Sequence, residues 1–189
     1  MYLNHLEIEE LVSLGHMLNV DPSCINAASL DLRLGNTVFI EKNTISIDVA
    51  TMQPCTTCID YSKREKLNML VRDIPGDGIE IQPGEFFLAH TIEHCNFPDD
   101  MAALFRIKSS MGRIGLEHLD AGWVDPGFHG SLTLEFKNVT QAHSIRLHKG
   151  DKIGQLVFLK GNAVPSDLSY RTKGNYNGHS GVAQAGFKS

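Results

Sequence analysis

Ser29-Leu30-Asp31-Leu32-Arg33-Leu34-Gly35-Asn36-Thr37-Val38-Phe39-Ile40 alternates polar and apolar residues, pauses at Gly-Asn, and resumes as a β-branched and aromatic run. Period-two alternation marks a half-buried strand, because successive side chains leave a strand on opposite faces. The Gly35-Asn36 pair predicts a turn between two strands. Outward from this stretch, strand-like runs recur at Ile45–Val49, Ile79–Ile81, Phe86–His90, Ala102–Ile107, Ser131–Phe136, His143–Leu147 and Lys152–Phe158. Turn signals such as Pro75-Gly76-Asp77-Gly78, Asp125-Pro126-Gly127 and Lys149-Gly150-Asp151 separate them. Many short strands at this spacing predict a mainly β chain of distorted jelly-roll or barrel type. A short N-terminal helix precedes them: Asn4 can cap it, Glu7 sits at its third position, and Leu6, Leu11, Leu14 and Leu18 approximate an apolar face. Residues 1–169 read as one domain. The tail from Tyr170 to Ser189, rich in Gly, Ser, Asn and Lys, reads as a flexible arm of the kind that can close over a ligand.

A length of 189 residues suits one domain with a full-sized core. With 42% hydrophobic and 21% charged residues, the composition is that of a soluble globular protein rather than a disordered one. No apolar run approaches the roughly 18–20 residues that span a bilayer, so no membrane partner is expected. The first residues, Met1-Tyr2-Leu3-Asn4-His5, lack the basic and apolar regions of a signal peptide. Four cysteines in a chain this long make no disulfide framework, so free thiols and a cytoplasmic location are expected. A formal charge of −5 without a basic block argues against a nucleic-acid polymer as partner. It says nothing against one small anion.

Two constellations carry chemistry. His5-Leu6-Glu7 and Pro54-Cys55-Thr56-Thr57-Cys58 together match the H-x-E and P-C-x-x-C pattern of zinc-dependent base deaminases. That chemistry needs both motifs at helix N-termini on a central sheet, and only four residues precede His5. No catalytic zinc is expected. The second constellation is central. Lys108-Ser109-Ser110 offers a cation, two hydroxyls and backbone N–H groups at the end of a strand, a phosphate cradle in outline. Arg113 adds a guanidinium fork for an anion or a carboxylate. Asp125-Pro126-Gly127 projects an aspartate from a tight turn. In Ser131–Glu135, Leu132 and Leu134 face one way and Ser131, Thr133 and Glu135 the other, so Glu135 meets either solvent or a polar cavity.

Five stretches in order resemble the dCTP deaminase branch of the trimeric dUTPase superfamily. They are Ile25–Gly35, Pro83–Thr91, Lys108–Leu116, Ala121–Glu135 and Lys149–Phe158. The resemblance implies a dUTPase-like β-barrel, a homotrimer with active sites at subunit interfaces, and conversion of dCTP to dUTP and ammonia by metal-free water attack at cytosine C4. A bifunctional enzyme giving dUMP, a dUTPase, and an inactive nucleotide-binding module are the alternatives. Residue by residue, Glu135 matches the proton-shuttling glutamate. Ser109 and Arg113 match the pair that positions the water and that glutamate. Ser110 and Lys108 match phosphate contacts, with lysine where the family has arginine. Ala121 matches the small residue beside the base, and Asp125 the aspartate near the deoxyribose, which is implicated in triphosphate cleavage where that occurs. Gln155 lies in the Gly-x-x-Ile-x-Gln-like strand. Tyr176 and His179 lie in the arm, with Lys173 nearby as a possible substitute for the family's arm lysine. Mg²⁺ is expected only as a companion of the triphosphate.

Other residues remain open. Asp120 stands where relatives carry threonine, able to accept from the cytosine amino group or to repel phosphate. Trp123 resembles the variant with an aromatic residue there rather than arginine. His90 and His94 share a strand face but sit too far apart for a metal pair. Arg33 is read as an exposed strand residue or an interface ion pair. Lys63-Arg64-Glu65-Lys66 reads as a solvated loop.

Overall fold

The structure, a computed structural model, describes residues 1–42, 46–48, 50–55 and 58–185. Helix α1 (His5–Ser13) opens the chain. Its start is the expected capping box: the Asn4 side chain accepts from the Leu6 and Glu7 N–H groups, and the Glu7 carboxylate accepts from the Asn4 N–H at 2.8 Å. Its buried face differs from the leucine series. Ile8 and Leu11 are buried, whereas Leu6 and Leu14 are exposed. Leu6 stands five residues before Leu11, hence about 140° away around the helix, and Leu14 is the C-cap. Gly15 follows with φ +76, the left-handed turn that ends a helix.

The strands are β1 (Met17–Leu18), β2 (Leu30–Glu41), β3 (Ser46–Asp48), β4 (Gln53–Cys55), β5 (Met69–Asp73), β6 (Ile79–Ile81) and β7 (Phe86–Asn96). After them come β8 (Met101–Ile107), helix α2 (Ser109–Arg113), β9 (Leu116–His118), β10 (Trp123–Val124), β11 (His129–Asn138), β12 (Ile145–Leu147), β13 (Lys152–Lys160) and helix α3 (Tyr170–Lys173). One antiparallel sheet in the order β10-β8-β13-β2-β7-β11-β9 dominates, with β1 added on β7 and β5 on β2. It curls into a half-barrel, in keeping with the mainly β class expected from the sequence. Register shifts in the β2–β7, β7–β11 and β2–β13 pairs supply bends that long strands need in order to curl.

The expected turn at Gly35-Asn36 is absent: β2 runs through it. The register with β7 shifts there, and the missing Cβ at Gly35 makes room for the His90 ring, which would lie 2.2 Å from a Cβ at that position. The Gly-Asn signal is therefore an irregularity inside a strand rather than a hairpin. His90 is engaged there, with Nε2 3.2 Å from Asn36 Oδ1, and His94 instead meets His129 edge-on at a ring distance of 4.8 Å. The expected strand at Ile45–Val49 is described only over Ser46–Asp48; its two end residues lie outside the described residues.

Phe87, Phe97, Phe105, Phe136 and Phe158 are fully buried and centre the core, with Phe87 and Phe136 stacked at 5.4 Å. Two acids are buried beside them. Asp31 accepts from Lys108 Nζ and Asn26 Nδ2, each at 2.8 Å, and pairs with Lys152 at 3.4 Å. Burial raises its pKa, but these partners outweigh that and hold it below the ordinary carboxylate value. Glu93 on β7 is fully buried and accepts from the Arg33 side chain at 2.6 Å and the Arg33 backbone N–H at 2.7 Å. Arg33 thus forms a buried pair within its own chain.

Removing one partner of such a pair strands a charge in the core. Arg33→Met should cost about 3–5 kcal/mol in denaturant unfolding at neutral pH. The double variant Arg33→Met/Glu93→Gln should recover most of that loss. A single variant as stable as the wild type would contradict the assignment.

Candidate active site

On β11, Leu132, Leu134 and Phe136 are buried while Thr133 and Glu135 turn the other way. The strand meets a cavity of about 620 Å³, whose walls include Ala121, Trp123, Asp125, Leu132, Leu134, Glu135 and Tyr176. Glu135 thus stands at a cavity wall, but the leucines beside it make that wall more apolar than the polar cavity expected. The volume lies within the ~300–1,000 Å³ range of small-molecule sites.

Glu135 has an unusual setting. Its side chain is 31% exposed, yet Oε2 is sealed and without a hydrogen-bond partner. Opposite it, at 3.7 Å, stands His118 Nε2, also buried and unpartnered. The His118 ring lies between Phe105 and Phe136, at ring distances of 4.7 and 5.5 Å. Burial pushes the Glu135 carboxyl above its ordinary pKa, and burial lowers that of His118, where the pull of Asp120 and the push of Arg106 are smaller. Both groups are thus driven toward their neutral forms. A separation of 3.7 Å is too long for a hydrogen bond, and closing it takes an approach of about 1 Å. The sequence reading missed His118; its signal was a polar residue three positions ahead of Ala121 in a run too short to read as a strand.

The segment from Ala121 to Asp125 is fixed from behind. Phe105 N–H donates to the Gly122 carbonyl at 2.7 Å, and a Cβ on Gly122 would lie 2.6 Å from the Phe105 carbonyl oxygen. Only glycine passes so close to β8. Beyond Asp125, Phe128 N–H donates to the Asp125 carbonyl and Gly127 turns at φ +80 against Ser169. The Asp125 Oδ1 accepts from the Trp123 indole N–H at 2.9 Å.

The arm closes the cavity from the remaining side. β9 pairs only with the far end of β11, leaving Gly130–Thr133 open on that edge. Ser131 N–H donates to the His179 carbonyl, Gly181 N–H to Ser131 Oγ, and Ala183 N–H to Thr133 Oγ1. Asn177 Oδ1 accepts from the His129 N–H. Gly130 permits the approach, since a Cβ there would lie 2.8 Å from the His179 carbonyl oxygen.

The family model described as dCTP deaminase-like matches residues 2–161. The chain belongs to the dCTP deaminase-like family. It is 37% identical over 185 residues to a protein of Persephonella marina named "dCTP deaminase, dUMP-forming", covering 96% of this chain and 94% of that one. A protein of the same name from Mycobacterium sp. (strain KMS) is 39% identical over 165 residues, covering 85% and 80%. Among solved structures, 2'-deoxycytidine 5'-triphosphate deaminase from Agrobacterium tumefaciens matches with a TM-score of 0.64 and 25% identity. That match covers 87% of this chain and 49% of the Agrobacterium chain, so this chain spans about half its length.

The residues singled out by family resemblance fall into two groups. Glu135, Ala121, Asp125, Tyr176 and His179 line the cavity. Ser109, Ser110 and Arg113 do not: they are exposed on α2. Lys108 is committed to Asp31, and Gln155 accepts from Ser29 Oγ at 3.1 Å. Lys173 lines a separate recess that it shares with Asp125 and Tyr170. Asp120 stands apart from the cavity. With φ +57 its side chain is 76% exposed and pairs with Arg106 at 2.6 Å, outside the cavity wall. In the first half of the zinc pattern, Glu7 caps α1 and His5 Nδ1 lies 3.2 Å from the Asn26 carbonyl oxygen. Cys58 is exposed, while Thr56, Thr57 and the Cys55 side chain lie outside the described residues.

The raised pKa of Glu135 has a signed consequence. Both folded and unfolded chains are protonated there below the unfolded pKa of about 4.3, so no penalty exists in acid. As pH rises through the raised folded value, the wild type loses stability that Glu135→Gln keeps. The variant should match the wild type near pH 4 and melt higher at pH 8, as thermal unfolding would read. A gap that is constant or reversed with pH would contradict the burial argument.

Proposed function

We propose that this chain is a dUMP-forming dCTP deaminase, acting as a homotrimer whose sites lie between chains. The observation that carries it is Glu135, a carboxylate made more basic by burial, at the wall of a nucleotide-sized cavity that also holds Asp125. The two relatives named as dUMP-forming favour that product over dUTP, the first expectation from sequence. A cytoplasmic setting goes with this reading.

A general base works best with a pKa near the working pH, and burial moves Glu135 in that direction. In the first reaction, Glu135 takes a proton from water as its oxygen bonds to C4 of cytosine. It delivers that proton to N3, then takes the remaining proton from the new C4 hydroxyl and passes it to the departing amino group. Ammonia leaves, and C4 becomes the carbonyl of uracil. In the second, a further water attacks the α-phosphorus with Asp125 in attendance, and pyrophosphate leaves to give dUMP. Ala121 sits beside the base, where a larger side chain would crowd it. Tyr176, His179 and Lys173 approach from the arm.

Ser109, Ser110, Arg113 and Lys108 enter from a neighbouring chain in this reading, with Gln155 supporting the strand from which they hang. The exposure of Ser109, Ser110 and Arg113 on α2 suits that placement. Mg²⁺ fits as a companion of the triphosphate: Asp125 keeps one carboxylate oxygen off Trp123, and Mg²⁺ typically takes one or two carboxylates plus phosphate and water. Among the described residues no three His, Cys, Asp or Glu side chains gather as a ligand set. When bound, the ion neutralises phosphate charge.

Incubation with dCTP should release ammonia and pyrophosphate in equal amounts. Glu135→Gln should cut ammonia release by about 10²–10⁴-fold while retaining nucleotide binding. Ammonia without pyrophosphate would mean a deaminase alone. Binding without turnover of any pyrimidine nucleotide would mean an inactive nucleotide-binding module.

The placement between chains has its own test. Glu135→Gln and Arg113→Ala should each be inactive alone. Refolded together, they should regain part of the wild-type rate, because some mixed sites pair a native Glu135 with a native Arg113. No recovery in trimers shown to be mixed would contradict shared sites.

A further inference from the structure

The run Lys63-Arg64-Glu65-Lys66, a solvated loop by sequence, brings its last two residues to the wall of the main cavity. Asp60 caps the short helical turn before it: its Oδ1 accepts from the Ser62 N–H at 2.9 Å, and its Oδ2 pairs with Lys63 at 3.3 Å. The Arg64 N–H donates to the Tyr61 carbonyl at 3.0 Å, with a left-handed φ of +58. Glu65 then folds back, its Oε2 accepting from the Asp60 N–H at 2.8 Å. Two residues past Lys66, the Asn68 carbonyl accepts from the Lys42 N–H at 2.9 Å, which ties the loop to the end of β2 just before β5 begins.

Lys66 is the residue this turn delivers. Lys63 and Glu65 are engaged with Asp60, whereas Lys66 has no ion pair among the described residues. Leu67 beside it is half-buried and lines the same cavity. A lysine stem can lie along such an apolar wall while its ammonium reaches beyond. Three carboxylates, Glu65, Asp125 and Glu135, stand on the wall with this one lysine. No cation pulls on Glu135, whose setting is made by burial and its own backbone. Lys66 therefore stands away from Glu135, as the phosphates of a nucleotide stand away from its base.

We propose that Lys66 is a specificity-determining residue that pairs with the nucleotide's phosphate chain and favours triphosphates over monophosphates. This rests on the nucleoside-triphosphate reading above. An ammonium is a point charge, so its attraction grows with the charge of the phosphate chain rather than with its geometry. The bonds that fix the loop lie within one chain, so they hold Lys66 on the wall that carries Glu135 while α2 arrives from a neighbour.

The test is calorimetric titration of wild type, Lys66→Met and Lys66→Arg with two probes, dUMP and the α,β-imido analogue of dUTP. Lys66→Met should weaken binding of the imido analogue about tenfold, the size of one charge-assisted contact, and leave dUMP binding nearly unchanged. Lys66→Arg should keep most of the affinity. Added salt should narrow the gap between wild type and Lys66→Met, because salt screens a charge contact and not a packing defect. In turnover, KM for dCTP should rise in Lys66→Met with kcat little changed. Equal weakening of both probes, or of neither, would overturn the assignment. The two claims fail differently. If wild type binds neither probe and turns over no dCTP, the nucleotide reading fails; if wild type prefers the triphosphate analogue and Lys66→Met prefers it equally, the Lys66 inference alone fails.

Discussion

A carboxylate oxygen shut away from water, facing a histidine nitrogen with no hydrogen bond between them, is the costly element around which this chain is arranged. Each unpaired polar atom of that kind costs about 1–3 kcal/mol. The core can bear it: five fully buried phenylalanines contribute about 1.5–3 kcal/mol each relative to exposure. Two of them, Phe105 and Phe136, are also the walls that dehydrate His118. Residues that stabilise the fold are thus also the ones that bury His118, the group facing Glu135. Cutting back either ring should loosen both.

Two of the cavity's carboxylates have different surroundings. Burial makes Glu135 more basic and leaves its Oε2 without a partner, whereas Asp125 accepts from the Trp123 indole. Groups with such different surroundings can serve different reactions in one cavity. Cations are placed just as unequally. Lys108 and Lys152 balance the buried Asp31, and Arg33 balances Glu93. Of the lysines and arginines among the described residues, Lys66 is the one on the cavity wall. The exposed Arg113 on α2 is the kind of group a neighbouring chain can use.

Much of the architecture was legible in the sequence because it rests on local rules. The capping box at Asn4 and Glu7, the Asp125-Pro126-Gly127 turn and the parity of Leu132, Leu134 and Glu135 all act over a few residues. What was misread depends on tertiary contacts. Gly35-Asn36 is a turn by local preference and stays in a strand because His90 packs where a side chain would be. Arg33 and Lys108 are ordinary surface residues by type, and only the fold reveals the buried acids they meet. His118 was invisible for the same reason. A histidine acquires its character from the rings across a sheet, not from its neighbours in sequence.

The central claim is that burial makes Glu135 a stronger base than a water-exposed glutamate. Isotope-edited infrared titration of glutamate-labelled protein, taken as the difference between wild type and Glu135→Gln, reads that carboxyl directly. The account predicts that its carboxylate band appears at a higher pH than the bands of the exposed glutamates. Ionisation at or below the pH of those glutamates would contradict it.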